Sequence, residues 1–302
     1  MKWLITKFLA YSVFSMPAAL CAQSDESILI WESLRQADAD LAESSRAVGV
    51  NRAFLDSFAE GAIIFREGPV DARNLYEQTS PLDRSRTALE SRANFIDFSR
   101  AGDLGLTSGP YRYTTEQSGN GPQRRYGHFV TIWRNYGSEW RMVADMVVRV
   151  PGVLSIEVEA DIAETYSVLA ESAPVTLTEA NTLASLLLAD DRFITSINVR
   201  GGRRAALRYG IDNQRVYVPG MVPGIGSESG SMVYGTYLDG KLSTDELLHE
   251  RSGAYMSISG DVGYTYGIMK AENAGFNANY LRYWRFTPEG EWSVAVEVLN
   301  EF

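Results

Sequence analysis

Gly102-Asp103-Leu104-Gly105-Leu106-Thr107-Ser108-Gly109 returns 158 residues further on, from 102 to 260, as Gly260-Asp261-Val262-Gly263-Tyr264-Thr265-Tyr266-Gly267. Gly-Asp-x-Gly-x-Thr-x-Gly therefore stands in both copies. Each copy runs into an aromatic strand with a Trp-Arg pair (Trp133-Arg134, Trp284-Arg285), then a turn, then a second Trp (Trp140, Trp292) that opens another apolar strand. Upstream, Gly49-Val50-Asn51-Arg52-Ala53-Phe54 lines up with Gly201-Gly202-Arg203-Arg204-Ala205-Ala206 at an offset of 152, so 158 less 152 leaves six residues added in the middle of the second copy. The pattern is that of a domain written twice.

The 302 residues, 45% hydrophobic and 22% charged, suit two globular domains, each with a core of its own. A formal net charge of -10 with no run of Lys or Arg argues against a nucleic-acid partner, whose phosphates need a basic surface. Arg124-Arg125 and Arg203-Arg204 read as solvated charges. Residues 1–22 read as an export signal: Lys2 and Lys7, then an apolar run from Phe8 to Phe14, then Leu20-Cys21-Ala22 before Gln23. The apolar run is too short to span a bilayer. Leu20 stands where a lipoprotein signal has a small residue, so cleavage after Ala22 is expected in preference to a lipid on Cys21. The expected location is periplasmic or secreted. Cys21 is the one cysteine, so the processed chain has neither a disulfide nor a thiolate.

In chain order, residues 26–59 read as helical with a break at Gly49, 62–65 as a strand and 70–78 as a short helix. Strands follow over 106–115, 126–135 and 140–150, with 116–125 expected to be an exposed hairpin loop. In the second copy 178–188 is the clearest helix, ended by Asp190-Asp191, and the Gly-, Pro- and Ser-rich 220–231 reads as a flexible rim. Helices followed by a strand meander give an α+β class. The expected organisation is a signal over 1–22, a first domain over 23–151, a linker over 152–162 and a divergent second domain over 163–302.

The ordered set made by the helical start, the Gly-x-x-Arg-Ala turn, the Gly-Asp-Leu-Gly-x-Thr-x-Gly motif and the strands Tyr126-Gly127-His128-Phe129-Val130-Thr131-Ile132-Trp133-Arg134 and Trp140-Arg141-Met142-Val143-Ala144-Asp145 resembles the SnoaL-like branch of the nuclear transport factor 2-like superfamily. The resemblance covers 28–150 strongly and 177–298 more weakly. It implies two tandem cone-shaped domains, each a curved antiparallel sheet around N-terminal helices enclosing an apolar pocket. It also implies pairing through the sheets, here between the two copies or in a homodimer. It leaves function open, because the superfamily holds isomerases, cyclases, dehydratases, epoxide hydrolases and proteins without catalysis.

Strand phase supplies the site candidates. A two-residue loop at Tyr136-Gly137 puts Trp133 opposite Trp140 and His128 opposite Asp145; a three-residue loop in the second copy puts Phe286 opposite Trp292 and Leu281 opposite Glu297. Both registers place the Trp residues on one face, and His128 with Asp145, or Asn279 with Glu297, on the other. A His facing a carboxylate can act as a general base, with Tyr126 two residues before it as an oxyanion donor. The same pair is read in preference as a plain structural contact, and Val130, Ile132 and Val143 make that face a candidate domain-pairing surface. Tyr111, Tyr113, Arg134, Asn279 and Glu297 are candidate ligand contacts. Asp103 and Asp261, between glycines, are expected to hold turns. Gly224-Ile225-Gly226-Ser227-Glu228-Ser229-Gly230 carries no Lys-Ser/Thr and no helix signal after it, so it is not read as a phosphate loop. No metal site is expected, since His128 and His249 fall in different copies, and no cofactor is expected. Two functions stand: an exported binding or accessory module for a small apolar molecule, or a cofactor-independent acid/base enzyme (isomerase, dehydratase or hydrolase) on a small hydrophobic substrate.

Overall fold

The computed structural model describes residues 18–79, 86–117, 121–137, 139–158, 165–166, 178–242 and 246–302. The expected export segment up to residue 17 and the linker from 159 to 162 lie outside the described residues. The first half runs α1 (Ala18–Val48), α2 (Val50–Ser57), β1 (Phe58–Arg66), β2 (Gly68–Asp71), α3 (Ala72–Gln78), β3 (Thr87–Ser91), β4 (Phe95–Phe98), β5 (Leu104–Gln117), β6 (Gly121–Asn135), β7 (Trp140–Val150) and β8 (Thr165–Tyr166). The second runs α4 (Leu183–Arg200), α5 (Gly202–Tyr209), β9 (Gly210–Tyr217), β10 (Gly224–Ile225), α6 (Ser227–Leu242), β11 (Leu248–Met256), β12 (Val262–Ala271), β13 (Phe276–Phe286) and β14 (Trp292–Glu301).

The two sheets have the orders β2-β1-β7-β6-β5-β4-β8, with β3 also on β5, and β10-β9-β14-β13-β12-β11. The class is α+β, with helices first and a meander after, as the resemblance implied. The sheets are not wholly antiparallel: β1 runs parallel to β7 and β9 parallel to β14, because the strand that leaves the helices joins the last strand of the meander.

The same local physics builds both halves. Gly49 and Gly201 break their helices at φ 92° and 83°, a conformation that glycine adopts without a Cβ penalty. In α1 the buried positions Leu34, Asp38, Ala42 and Ser45 recur at helical spacing and face the sheet. Trp133 Nε1 donates to Thr107, whose hydroxyl donates to Asp38 (2.9 and 2.8 Å); Trp284 Nε1 donates to Thr265, whose hydroxyl donates to Asp190 (3.0 and 3.1 Å). Trp140 donates to Ser33, and Trp292 to Ser185. The second glycine of each Gly-Asp-x-Gly is needed for close approach, since a Cβ on Gly105 would lie 2.5 Å from Leu34 Cδ2 and one on Gly263 2.6 Å from Leu186 Cδ2.

One apolar cluster packs the first sheet on α1 to α3, and a second packs the other sheet on α4 to α6. A third draws on both halves, with Val130, Ile132 and Val148 from one sheet and Leu281, Val296 and Val298 from the other, so the sheet faces turned away from the helices meet. Polar groups fix this contact. Asp103 accepts from the Ser99 hydroxyl and from the backbone N–H of Ile258; Asp261 accepts from the Ser257 hydroxyl and from the N–H of Arg100. Each motif aspartate thus ties its own turn to the other half.

Three local expectations are corrected. Residues 121–125 are strand, not loop, because β5 and β6 stay paired out to Gln117 and Gly121. The helix expected to stop before Asp190-Asp191 runs on to Arg200, with Asp190 facing inward on the buried side. Residues 227–242 form α6, so a helix does follow the glycine-rich segment. Its glycines let it approach its neighbours, as a Cβ on Gly235 would fall 2.5 Å from that of Arg203.

Candidate functional site

A cavity of about 850 Å³ opens in the first half between the helices and the sheet, within the range of small-molecule sites. Phe54 and Leu41 from the helices and Phe129 from β6 supply apolar wall; Tyr76, Tyr111 and Tyr113 add hydroxyls; Pro219, Asn300 and Phe302 of the second half complete the rim.

Beside the buried Asp38 in this lining stands the half-buried Asp145. Burial raises its pKa to about 6, against the Thr131 hydroxyl, which donates to its Oδ1 at 2.7 Å, and the nearby Arg66, both of which favour the ionised form. Burial first, then the charge of Asp145, holds the Tyr76 hydroxyl well above the ordinary phenol value. Burial also raises Tyr111, with Arg149 partly offsetting it. The site therefore offers a carboxyl that changes charge near pH 6 beside hydroxyls that stay protonated donors.

The sequence-derived constellation is only partly assembled. Asp145, Tyr111 and Tyr113 line the cavity. His128 does not face Asp145: it pairs with Val148, while Asp145 pairs with Thr131. The turn after β6 is longer than expected, with Asn135 opposite Trp140 and Trp133 opposite Met142, and a bulge between Ile132 and Trp133 shifts the register again. An odd shift exchanges the faces of a strand, so Asp145 shares the Trp133 face and His128 lies on the other. There His128 is 3% exposed, tilted against the Tyr217 ring of the second half. Burial lowers its pKa to about 4, and no partner reaches its Nε2. The proposed His128-Asp145 dyad is therefore absent, and Tyr126, two residues from His128 and outside the cavity lining, is not its partner in an oxyanion site.

The second copy shows the same displacement. Phe286 does face Trp292, but a bulge between Tyr283 and Trp284 puts Arg282, not Leu281, opposite Glu297. Glu297 lies within the second half's core and Asn279 at the contact between halves, where its Nδ2 donates to the carbonyl of Arg66 at 2.5 Å. Arg134 stacks over Tyr255, 4.2 Å from the ring centroid, and does not line the cavity.

The position matching the cavity is filled in the second half. Arg282, fully buried, donates to Asp190 at 2.8 Å and to Glu297 at 2.7 Å, and Tyr234 from α6 donates to Glu297 at 3.1 Å. Tyr234 and Glu297 are the counterparts of Tyr76 and Asp145, at offsets of 158 and 152. The added chain lies ahead of Tyr234, where the seven residues of α3 become the sixteen of α6, and from the tyrosine to the acid the second copy is the shorter by six. Burial pushes Glu297 up to about 7 despite Arg282. For Asp190 burial also pushes upward, but Arg282 and His249 outweigh it and hold the carboxyl below its usual range. Asp190, Asp191 and His249 converge as a metal-ligating trio would. Arg251 Nη1 already sits between the two carboxylates, at 2.8 and 2.9 Å, in the place a cation would take.

No family model matches the chain, and no curated protein matches it. Among solved structures it is similar to a ketosteroid isomerase-like protein from Erwinia carotovora atroseptica, at 17% identity over 42% of this chain and 98% of that one, with a TM-score of 0.33. It is also similar to an NTF-2 like protein of unknown function from Silicibacter pomeroyi, at 15% identity over 42% and 100%, TM-score 0.32. A conserved protein from Planctomyces limnophilus matches at 19% identity over 42% and 98%, TM-score 0.32. Each of these chains is spanned nearly whole by about two-fifths of the present one. Among the described residues no helix is long and apolar enough to cross a membrane.

Tyr76, Thr131, Arg66 and Arg149 were not singled out from the sequence, and Arg125, read there as a solvated charge, is exposed but borders the cavity. The available signal was alternation along β6 and β7: once the bulge is known, Phe129, Thr131 and Trp133 on one strand and Asp145, Val147 and Arg149 on the other fall on a single face.

Proposed function

We propose that the protein is an exported binding protein for a small, largely apolar molecule. In this reading it is a tandem pair of SnoaL-like cones, duplicated and then diverged, with one working cavity in the first. The observation that carries it is the contrast at one equivalent position: Asp145 borders an open cavity, whereas Glu297 is locked to Arg282 and Tyr234 in a filled core. The repeated Trp-Thr-Asp bonds support the duplication, and the composition of residues 1–22 supports export.

The test is titration with an uncharged fluorescent naphthylamine dye. One dye per chain should bind, and Val147→Trp, which places a large ring in the mouth, should abolish binding while the fold survives. Two equivalents bound, or binding indifferent to Val147→Trp, would exclude a single site in the first half.

A second reading is favoured by one observation, the carboxyl with a pKa of about 6 beside buried hydroxyl donors. There the protein is a cofactor-independent acid/base enzyme in which Asp145 moves the proton and Tyr76 or Tyr111 steadies the developing negative charge. Nitrobenzisoxazole, a generic carbon acid, reports on this. Its ring opening should rise with pH to half its maximum near 6 and vanish in Asp145→Asn. Turnover that persists in that variant would remove the reading.

A further inference from the structure

The mouth of the cavity carries three guanidinium groups: Arg66 at the end of β1, Arg125 on β6 and Arg149 on β7. Arg149 is in register with Gly127, two residues from Arg125, so the two arginines are diagonal neighbours on the cavity face. Like charges that close on a sheet surface repel and destabilise it unless something neutralises them. Between them the strand is bare. A Cβ on Gly127 would lie 2.0 Å from the carbonyl oxygen of Val148 and 2.6 Å from the Tyr111 ring, which lies over this gap. The Arg149 charge acts on the Tyr111 hydroxyl, and that of Arg66 on both Tyr76 and Asp145.

Among the described residues none of the three is joined to a carboxylate by an ion pair. The lining acids are mostly engaged elsewhere. Asp38 accepts from Thr107 and from the Ala93 amide, Asp145 from Thr131, and Glu301 from Tyr237 and Lys241. Glu67, exposed at the outer edge, is the exception. The lining thus brings three guanidinium groups up against four carboxyls, near charge balance in a chain of net charge -10, with none of the three paired to those acids.

We infer that the ligand is an amphipathic anion. Its carboxylate, sulfonate or phosphate group is held at the mouth by Arg125 and Arg149 with Arg66 beside them, and its apolar body lies inward against Phe54, Leu41 and Phe129. Guanidinium groups suit such a headgroup because their planar fork matches paired oxygens. This rests on the reading of the cavity as a ligand site, and the test separates the two.

Two dyes with the same apolar body are compared, anilinonaphthalene sulfonate and uncharged phenyl-naphthylamine. The sulfonate should bind at least about tenfold more tightly, with an affinity that falls as NaCl is raised. The double variant Arg125→Gln, Arg149→Gln should weaken the sulfonate about tenfold and leave the neutral dye within about twofold. Near-ultraviolet circular dichroism checks that the fold is kept, and the two single variants, each expected to show part of the loss, serve if the double is unstable. Equal affinity for the two dyes, or a loss shared equally by both in the variants, overturns the anion assignment and leaves the cavity standing. Failure of both dyes to bind, or binding unaffected by Val147→Trp, overturns the cavity and this inference with it.

Discussion

Arg285 of β13 and Asp97 of β4, 188 residues apart, form an ion pair within the contact between the halves, with Arg285 Nε 2.7 Å from Asp97 Oδ2 and both residues at most 2% exposed. The carboxylate holds the guanidinium above its ordinary value, outweighing the opposing effect of burial. At the repeat-related position Arg134 meets Tyr255, so the two Trp-Arg pairs each reach across, one to a carboxylate and one to an aromatic ring. Asp97→Ala leaves a buried cation unpaired and should lower stability by about 3–5 kcal/mol in urea titration. Adding Arg285→Leu should restore a good part of that. No recovery in the double variant would show that the charge is not what the loss reflects.

The pH dependence of stability should carry the signature of His128. Its folded pKa of about 4 lies below the 6.5 of an unperturbed imidazole, so the unfolded chain takes up the proton first. The stabilising contribution is complete above about pH 6.5 and is lost as the pH falls towards 4, by as much as about 3 kcal/mol. The difference between wild type and His128→Gln, followed by denaturant titration from pH 7.5 to 4, isolates it. A flat difference would mean that water or a partner reaches the ring.

Asp145 should behave in the opposite sense. Its pKa is raised from 3.8 to about 6, so its folded form favours the proton, and the advantage present below 3.8 is lost as the pH rises through 6. Asp145→Asn should therefore stabilise the protein at pH 8 and do nothing at pH 3.5. Because the residue keeps some contact with the open cavity, the gain should be about 1–2 kcal/mol, less than full burial would give. Melting curves at the two values check this, and a variant less stable at pH 8 would contradict it.

Gly263→Ala tests the close approach built into the repeated motif. The new methyl would meet Leu186 Cδ2 at 2.6 Å and the Tyr255 carbonyl oxygen at 2.9 Å, and overpacking of this kind costs about 1–3 kcal/mol. Leu186→Ala in the same chain should recover part of the loss, as read by a double-mutant cycle. Strictly additive losses would place the strain elsewhere.

The halves and most of their strands were legible because glycine spacing, tryptophan pairs and alternation are local signals. The site was less so, because one residue of bulge beside Trp133 and another beside Trp284 exchange which side chains share a face, and nothing in the sequence marks either. The helix α6 was hidden for a related reason. Gly230, Gly235 and Gly240 are poor helix formers, yet Tyr234 and Leu238 are wholly buried, so tertiary packing overrides local preference.

The second half does more than shelter the back of the first sheet. Gly220 donates its N–H to the carbonyl of Arg149 and Asn279 its amide to that of Arg66, so the backbone at two points of the opening is anchored from the far domain. The opening therefore cannot loosen piecemeal. Calorimetry should record a single heat-absorption peak for the whole chain, and an occupant of the cavity should move that one peak upward, lending its binding energy to a second half that it meets only at the rim.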